Sequence, residues 1–442
     1  MKLPSTLTTR TGLEARLFTA ERLNSPQFQF RFWLWTRLFI VVVWVLSSLD
    51  IQDVRYYYQR VELLADAGPQ RVLIEYPTPV VWLLQIPWVL GFGTLVGYTV
   101  IFVAAMVAID AAFTRTLWKA GGTFRGQAVA YWTLFLAFVG PTAYLRFDLV
   151  TAWLMGLALL ACASNRERLA GVLTAVGAAI KLWPALLWPA LFVHSRRRNV
   201  GTSIAFWAVG GGLALASLVA AGWDRLFTPL QWQSNRGLQV EAVLTTPAMI
   251  ARAVAPHRYD VRPSTFQAYE IAGPGVATLQ TLTSVFTALG VLAVLIGYGA
   301  WLRRDRRRIF TSTAIMIFVI VLMIVTNKTF SPQYIIWLGG PIAAGISLAG
   351  LTEDYDRTTP SERRTLRGLG VSVLALTLLT QVIYPIGYAG VVHTNWLTPI
   401  MTVVLTVRNL GIVALMVVAG LAAWRSIRTT PTAADEPVPE RS

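Results

Sequence analysis

The amino-acid sequence predicts an all-α integral membrane protein that crosses the bilayer about twelve times. Three observations carry that reading. Of 442 residues, 55% are hydrophobic and only 14% charged, where a soluble chain carries about 25%. Apolar stretches near 20 residues recur along the whole length, each able to cross roughly 30 Å of hydrocarbon as a helix. The arginines gather in the short polar stretches between them, as charge-directed topology requires. A closed β-barrel needs alternating segments of about ten residues, and the sequence has none of that pattern.

The first span is expected at 33–49, a retained helix, since no small-residue cleavage site follows it. A polar stretch, 50–76, comes next. The apolar segment 77–93 is short, Trp-bearing and broken by Pro77, Pro79, Pro87, Gly91 and Gly93, which suits a helix lying at the interface. Further spans fall at 95–114, 127–145, 148–163, 168–181, 183–195, 200–221, 278–302, 309–326, 334–350, 368–386 and 398–424. This layout puts both termini and the clusters Arg196–Arg198 and Arg303–Arg308 in the cytoplasm. Two long loops, 50–76 and 222–277, then share the outer face, and long loops on a rigid scaffold are where binding and chemistry usually sit. The chain divides into a cytoplasmic segment, 1–32, one membrane domain, 33–424, and a Pro-, Thr-, Ala- and Glu-rich tail, 425–442, expected to be disordered and cytoplasmic.

The net charge of +16 does not point to nucleic acid, because the basic residues sit in loops between apolar runs and form no stripe. The single cysteine, Cys162, excludes an intrachain disulfide framework. The three histidines, His194, His257 and His393, lack zinc-type spacing. The outer loops contain no Asp-x-Asp pair, so neither a bound metal nor another cofactor is expected.

Five features can carry chemistry. Asp53 opens Asp53-Val54-Arg55-Tyr56-Tyr57-Tyr58 just beyond the first span, where partial desolvation strengthens a carboxylate as a base; an ordinary solvated first helical turn is the plainer alternative. Glu75 precedes Tyr76-Pro77-Thr78-Pro79 and is either a second carboxylate of the site or structural. Arg146 and Asp148 flank Phe147 in an outer turn, where they either pair with each other or leave Arg146 for a lipid phosphate. Lys181, between two short apolar helices, and Arg408, about ten residues inside the last span, would each cost about 2.5–3.5 kcal/mol on insertion scales. Such cations face a cavity or a partner, for which an anionic lipid head group is suited. Snorkelling is open to Lys181 but not to Arg408. Lys328 in the turn before Ser331-Pro332-Gln333-Tyr334, and Arg236, Gln239 and Glu241 in the second long loop, complete the set.

In order and spacing these motifs resemble the GT-C membrane glycosyltransferases, specifically glycosyltransferase family 87 of actinobacteria. The resemblance runs over about 33–424 and rests on Asp53-Val54-Arg55-Tyr56-Tyr57, Tyr76-Pro77-Thr78-Pro79, Lys181-Leu182-Trp183-Pro184, Arg236-Gly237-Leu238-Gln239-Val240-Glu241, Ser331-Pro332-Gln333-Tyr334 and Arg408-Asn409. It implies a GT-C-like bundle that moves a sugar, mannose favoured, from a polyprenyl-phosphate donor to a cell-envelope glycolipid or glycan on the outer face of the plasma membrane. It implies Asp53 as the catalytic carboxylate, with Asp50 the nearest rival, and adds Tyr57, Gln333 and Tyr334 to the substrate-binding candidates. The family's mannolipid-making branch carries histidines after the Ser-Pro turn, where this chain has Gln333, Tyr334 and Ile335. The rival reading, a transporter or flippase of a lipid-linked sugar, accounts for the buried cations but not for two long outer loops without internal repeats.

The topology is testable in a Cys162→Ser background. A cysteine at position 305 should resist an impermeant reagent applied from outside, and cysteines in 222–277 should react; labelling at 305 would invert the layout.

Overall fold

The computed structural model describes residues 19–46, 51–193, 196–304, 308–350 and 358–429. Asp50, Asp305 and the tail beyond Thr429 lie outside them. The described chain is helical except for one small hairpin. In order come α1 (Pro26–Leu46), α2 (Gln52–Glu62), α3 (Thr78–Leu90), α4 (Leu95–Ala120), α5 (Arg125–Val139), α6 (Asp148–Ala163), α7 (Glu167–Ile180) and α8 (Arg196–Ala221). Then follow α9 (Trp223–Asn235), α10 (Thr246–Val254), the antiparallel pair β1 (Asp260–Pro263) and β2 (Tyr269–Ala272), α11 (Val276–Leu302), α12 (Ile309–Thr326), α13 (Ile336–Leu348), α14 (Pro360–Gln381) and α15 (Thr398–Thr429).

Among the described residues seven helices are long and apolar enough to cross a bilayer: α1, α4, α8 from Asn199, α11, α12, α14 with its continuation to Ile386, and α15. The other expected crossings fall on shorter helices, α5, α6, α7 and α13. One expected span is not an α-helix. Trp183–Leu191 is a 3₁₀ segment of nine residues, about 18 Å at 2.0 Å per residue against roughly 30 Å of hydrocarbon. Pro184 and Pro189 explain it, since each removes a backbone donor. The first helix starts at Pro26, earlier than hydropathy suggests, and the last runs to Thr429, five residues into the stretch read as tail. Helix α3 has 13 residues, too short to span, and Pro79 opens it where an unpaired N–H is no loss.

The bundle centres on α6, which packs against α7 and α13. At Gly340 the α13 backbone meets α6 so closely that a Cβ would lie 1.8 Å from the Ala152 carbonyl oxygen, the close approach that small residues permit between membrane helices. Asp110, fully buried on α4, accepts from Arg37 Nε and Nη2 at 2.8 and 2.7 Å, Trp33 Nε1 at 3.0 Å, Trp132 Nε1 at 2.8 Å and the Tyr144 hydroxyl at 2.8 Å. One carboxylate thus ties α1, α4, α5 and the short helix Thr142–Leu145.

Buried arginines tie the long loops to each other and to the bundle. Buried Arg225 on α9 donates to the carbonyls of Pro69, Val72, Leu73 and Tyr76, joining the two loops. Arg252 on α10 donates to the Val391 and Val392 carbonyls. Strand β2 is stitched to the chain beside it by Val240 N to Tyr269 O and Ile271 N to Leu238 O.

Removing one partner of a buried ion pair strands the other, at about 3–5 kcal/mol. Asp110→Ala should therefore cost the detergent-solubilised protein about that much in unfolding free energy. The double variant Arg37→Leu, Asp110→Leu should cost less than Asp110→Ala alone.

Candidate active site

Where α2, the 146–148 turn, the second long loop and the 327–334 segment meet, they enclose a cavity of about 450 Å³. Asp53 enters it from the first turn of α2. Arg146, in extended backbone between Thr142–Leu145 and α6, forms an ion pair with Asp53 at 2.5 Å. Burial raises the Asp53 carboxyl above its ordinary value, and Arg146 opposes that rise. Arg146 and Asp148 do not pair with each other. Asp148, buried at the N-terminus of α6, accepts from Lys181 Nζ at 2.8 Å and from Trp337 Nε1 at 2.6 Å.

Lys181 stands where α7 breaks into extended backbone ahead of the proline-bearing 3₁₀ segment. Its ammonium lies 5.1–5.9 Å from the ring centres of Phe147, Tyr76, Trp337 and Tyr334, within cation–π range. Trp183, Trp337 and Tyr334 stack in series at 5.0 and 4.2 Å and all line the cavity. Glu75 lines it too and accepts from the Tyr56 hydroxyl at 2.8 Å.

The second long loop supplies the opposite wall. Arg236 donates to the Phe266 carbonyl at 2.5 Å. Gln239 uses its side-chain oxygen to accept from Phe330 N at 2.7 Å, locking this loop onto the 327–334 turn. Glu241 is fully buried, and its Oε2 lies 3.6 Å from Arg408 Nη2. Burial pushes the Glu241 carboxyl up to about 7 although Arg408 and Arg146 pull it down. The buried Gln333 side-chain oxygen has no hydrogen-bond partner among the described residues.

The cavity thus gathers Asp53, Glu75, Arg146, Lys181, Arg236, Gln239, Glu241, Gln333 and Tyr334. Four other candidates are not on its wall. Lys328 turns away and donates to the Ser234 carbonyl at 2.8 Å. Tyr57 is buried behind the wall, its ring 5.4 Å from Phe147 and 6.5 Å from Tyr76. Asp148 stands behind Lys181. Arg408 is fully buried over the Phe330 ring, 4.0 Å from its centre, and donates to the Glu241 carbonyl. For Arg408 and Lys181 alike the countercharge is a carboxylate of the protein, where an anionic lipid was expected.

Several lining residues escaped sequence reasoning. Tyr384 and Tyr388, four positions apart across a kink, line the cavity with rings 5.0 Å from each other. Their signal was two tyrosines and Pro385 at the outer end of an apolar run. Trp232 and Phe266 carry no sequence signal, being 34 positions apart in a loop without periodicity.

A family model described as glycosyltransferase family 87 matches residues 74–326, more than half of the chain. Among solved structures the chain is similar to ArnT from Cupriavidus metallidurans bound to undecaprenyl phosphate, at 15% identity and a TM-score of 0.42, over 89% of this chain and 77% of that one. No curated protein matches it.

The raised Glu241 carboxyl sets a pH-dependent stability. A group whose folded pKa exceeds its unfolded one stabilises the fold below the unfolded value and loses that contribution as pH rises through the folded value. For Glu241 the window runs from its ordinary 4.5 to about 7. Glu241→Gln, which mimics the protonated form, should melt above the parent at pH 8, and the gap should close by pH 5. Equal melting temperatures at both values would show that Glu241 is ionised at no cost.

Proposed function

The chain belongs to glycosyltransferase family 87, and on that premise we propose that it moves a sugar, mannose favoured, from a polyprenyl-phosphate donor to a glycolipid or glycan of the cell envelope. The reaction runs at the outer face of the membrane with inversion. The observation that carries this reading is the convergence of Asp53, Arg146 and Lys181, from three separate stretches of chain, on one cavity.

In the transfer an acceptor hydroxyl oxygen attacks the anomeric carbon. The new carbon–oxygen bond forms as the bond to the phosphate oxygen breaks. The proton passes to Asp53, and the electron pair of the broken bond leaves with the polyprenyl phosphate. Burial makes the Asp53 carboxylate a stronger base than a solvated one. The charge growing on the leaving phosphate needs fixed cations, and Arg146 and Lys181 are the two on the wall nearest Asp53.

Each cation is engaged with a carboxylate before substrate arrives. The donor's phosphodiester monoanion competes with Asp53 for Arg146 and can accept two parallel hydrogen bonds from it. Donor binding then frees Asp53 at the step where a base is needed. The prenyl chain leaves past Ile180, Leu182 and Met323, the apolar end of the cavity, where Leu182 is exposed on the bundle surface.

A transporter of lipid-linked sugar has the same need for cations but none for a base. Asp53→Asn separates the two readings, because it keeps size and hydrogen bonding while removing the base. General-base help is worth about 10²–10⁴-fold, so transfer of labelled sugar in membranes with matched protein levels should fall at least 10²-fold. Asp50→Asn should do much less. Full activity of Asp53→Asn beside a dead Asp50→Asn would move the base to Asp50. Movement of labelled lipid across the bilayer with neither variant impaired would favour transport.

A further inference from the structure

The cavity has two chemically different ends. One is apolar, formed by Ile180, Leu182, Trp183 and Met323. The other is formed by α9 and the tip of the β1–β2 hairpin: Trp232, Gln233, Ser264, Phe266 and Gln267. The second end is built of rings, amides and a hydroxyl, with the buried Arg236 against Phe266 as its charged neighbour. Its two rings stand edge to face at 4.9 Å and 79°, both partly buried, while Gln233 and Gln267 are exposed.

This tip is held in place. Arg236 fixes the Phe266 carbonyl and lies under its ring, 6.0 Å from the centre. The tip closes on itself through Ser264 N to Ala268 O, and Tyr269 O accepts from Val240 N. The outward edge of the hairpin carries an exposed pair, Arg262 with Asp260, so it faces water. On helix α9, Trp223, Phe227 and Leu230 are exposed along one face, as on an interfacial helix. Trp232 lies nine residues on from Trp223, half a turn round at 3.6 residues per turn, on the opposite face.

A ring with one apolar face and several hydroxyls matches this end. It packs its C–H face on an aromatic surface and trades hydrogen bonds with neutral amides. The cation there, Arg236, is buried and already engaged with the Phe266 carbonyl and ring, and a prenyl chain would bury the two amides without partners. Resting on the transfer reading above, we propose that Trp232 and Phe266, flanked by Gln233 and Gln267, form the subsite for the acceptor's neutral sugar ring, which enters from the water side while the lipid donor occupies the apolar end. The ring's free hydroxyl then points down the cavity toward Asp53.

The test separates the two substrates. The purified full chain is given labelled polyprenyl-phosphate mannose as donor. Its acceptor is the envelope glycolipid and glycan fraction of a deletion strain, where unused acceptor accumulates. Each is diluted in turn. Trp232→Ala should raise the half-saturating acceptor concentration about tenfold and leave that of the donor within about twofold. Trp232→Phe should restore most of the loss, which excludes a folding defect. Gln267→Ala should move the acceptor curve alone, by a smaller factor. If Trp232→Ala shifts both curves equally, or neither, the subsite is not the acceptor's. If the parent chain makes no product from this donor with any fraction, the transfer reading itself fails.

Discussion

Two ion pairs hang on one three-residue turn, and the site depends on both. Arg146 reaches Asp53 on α2, and Asp148, two residues later, reaches Lys181 at the end of α7. The extended backbone at Arg146 sends the chain straight into α6. Phe147 between them is fully buried against Tyr57 and Tyr76. Four charges taken out of water would each cost several kcal/mol if left alone; coupled through one turn, they fix three segments relative to each other. Tyr57 does not touch the cavity, but its ring is part of the seat that holds Phe147.

The class of fold and part of the site were legible in the sequence, for reasons that differ residue by residue. Hydropathy reports burial in lipid directly, so the helices α4, α8, α11, α12 and α15 stand where the apolar runs stand. Proline content signals a short α3, and the same chemistry yields a 3₁₀ segment at Trp183–Leu191, where hydropathy alone predicts a span. A charge in an apolar run announces that it needs a partner and not which one. Lys181 and Arg408 were visible for that reason, yet Asp148 and Glu241, their partners, are 33 and 167 positions away. Lys328 had the right charge in the right turn, but only the fold could reveal that the Ser234 carbonyl takes it up. Trp232, Phe266, Tyr384 and Tyr388 are ordinary aromatics in sequence and become wall residues by long-range packing alone.

Among the described residues arginine plays two physical roles, distinguished by partner, and some arginines play both. Arg225 and Arg252 donate chiefly to backbone carbonyls, replacing the water that irregular loop segments would otherwise need. Arg37 and Arg146 answer carboxylates. Arg408 does both, with a Glu241 carbonyl at 3.0 Å and its carboxylate at 3.6 Å. The planar five-donor guanidinium can span several acceptors at once, which a lysine cannot.

That division bears on how a loop-built site can be a good one. Loops usually carry function at the expense of order, and a transfer reaction demands its groups within about half an ångström of their working positions. Here the two long loops are fastened to each other by Arg225, the second loop to the 327–334 turn by Gln239, and the hairpin tip to α9's end by Arg236. Each fastening satisfies backbone groups that would otherwise be stranded, so local stability and site geometry share the same hydrogen bonds. Arg146 and Asp53 both line the cavity as an ion pair held within that frame. The frame that fastens the loops therefore also fixes the place of the Asp53–Arg146 pair on the cavity wall.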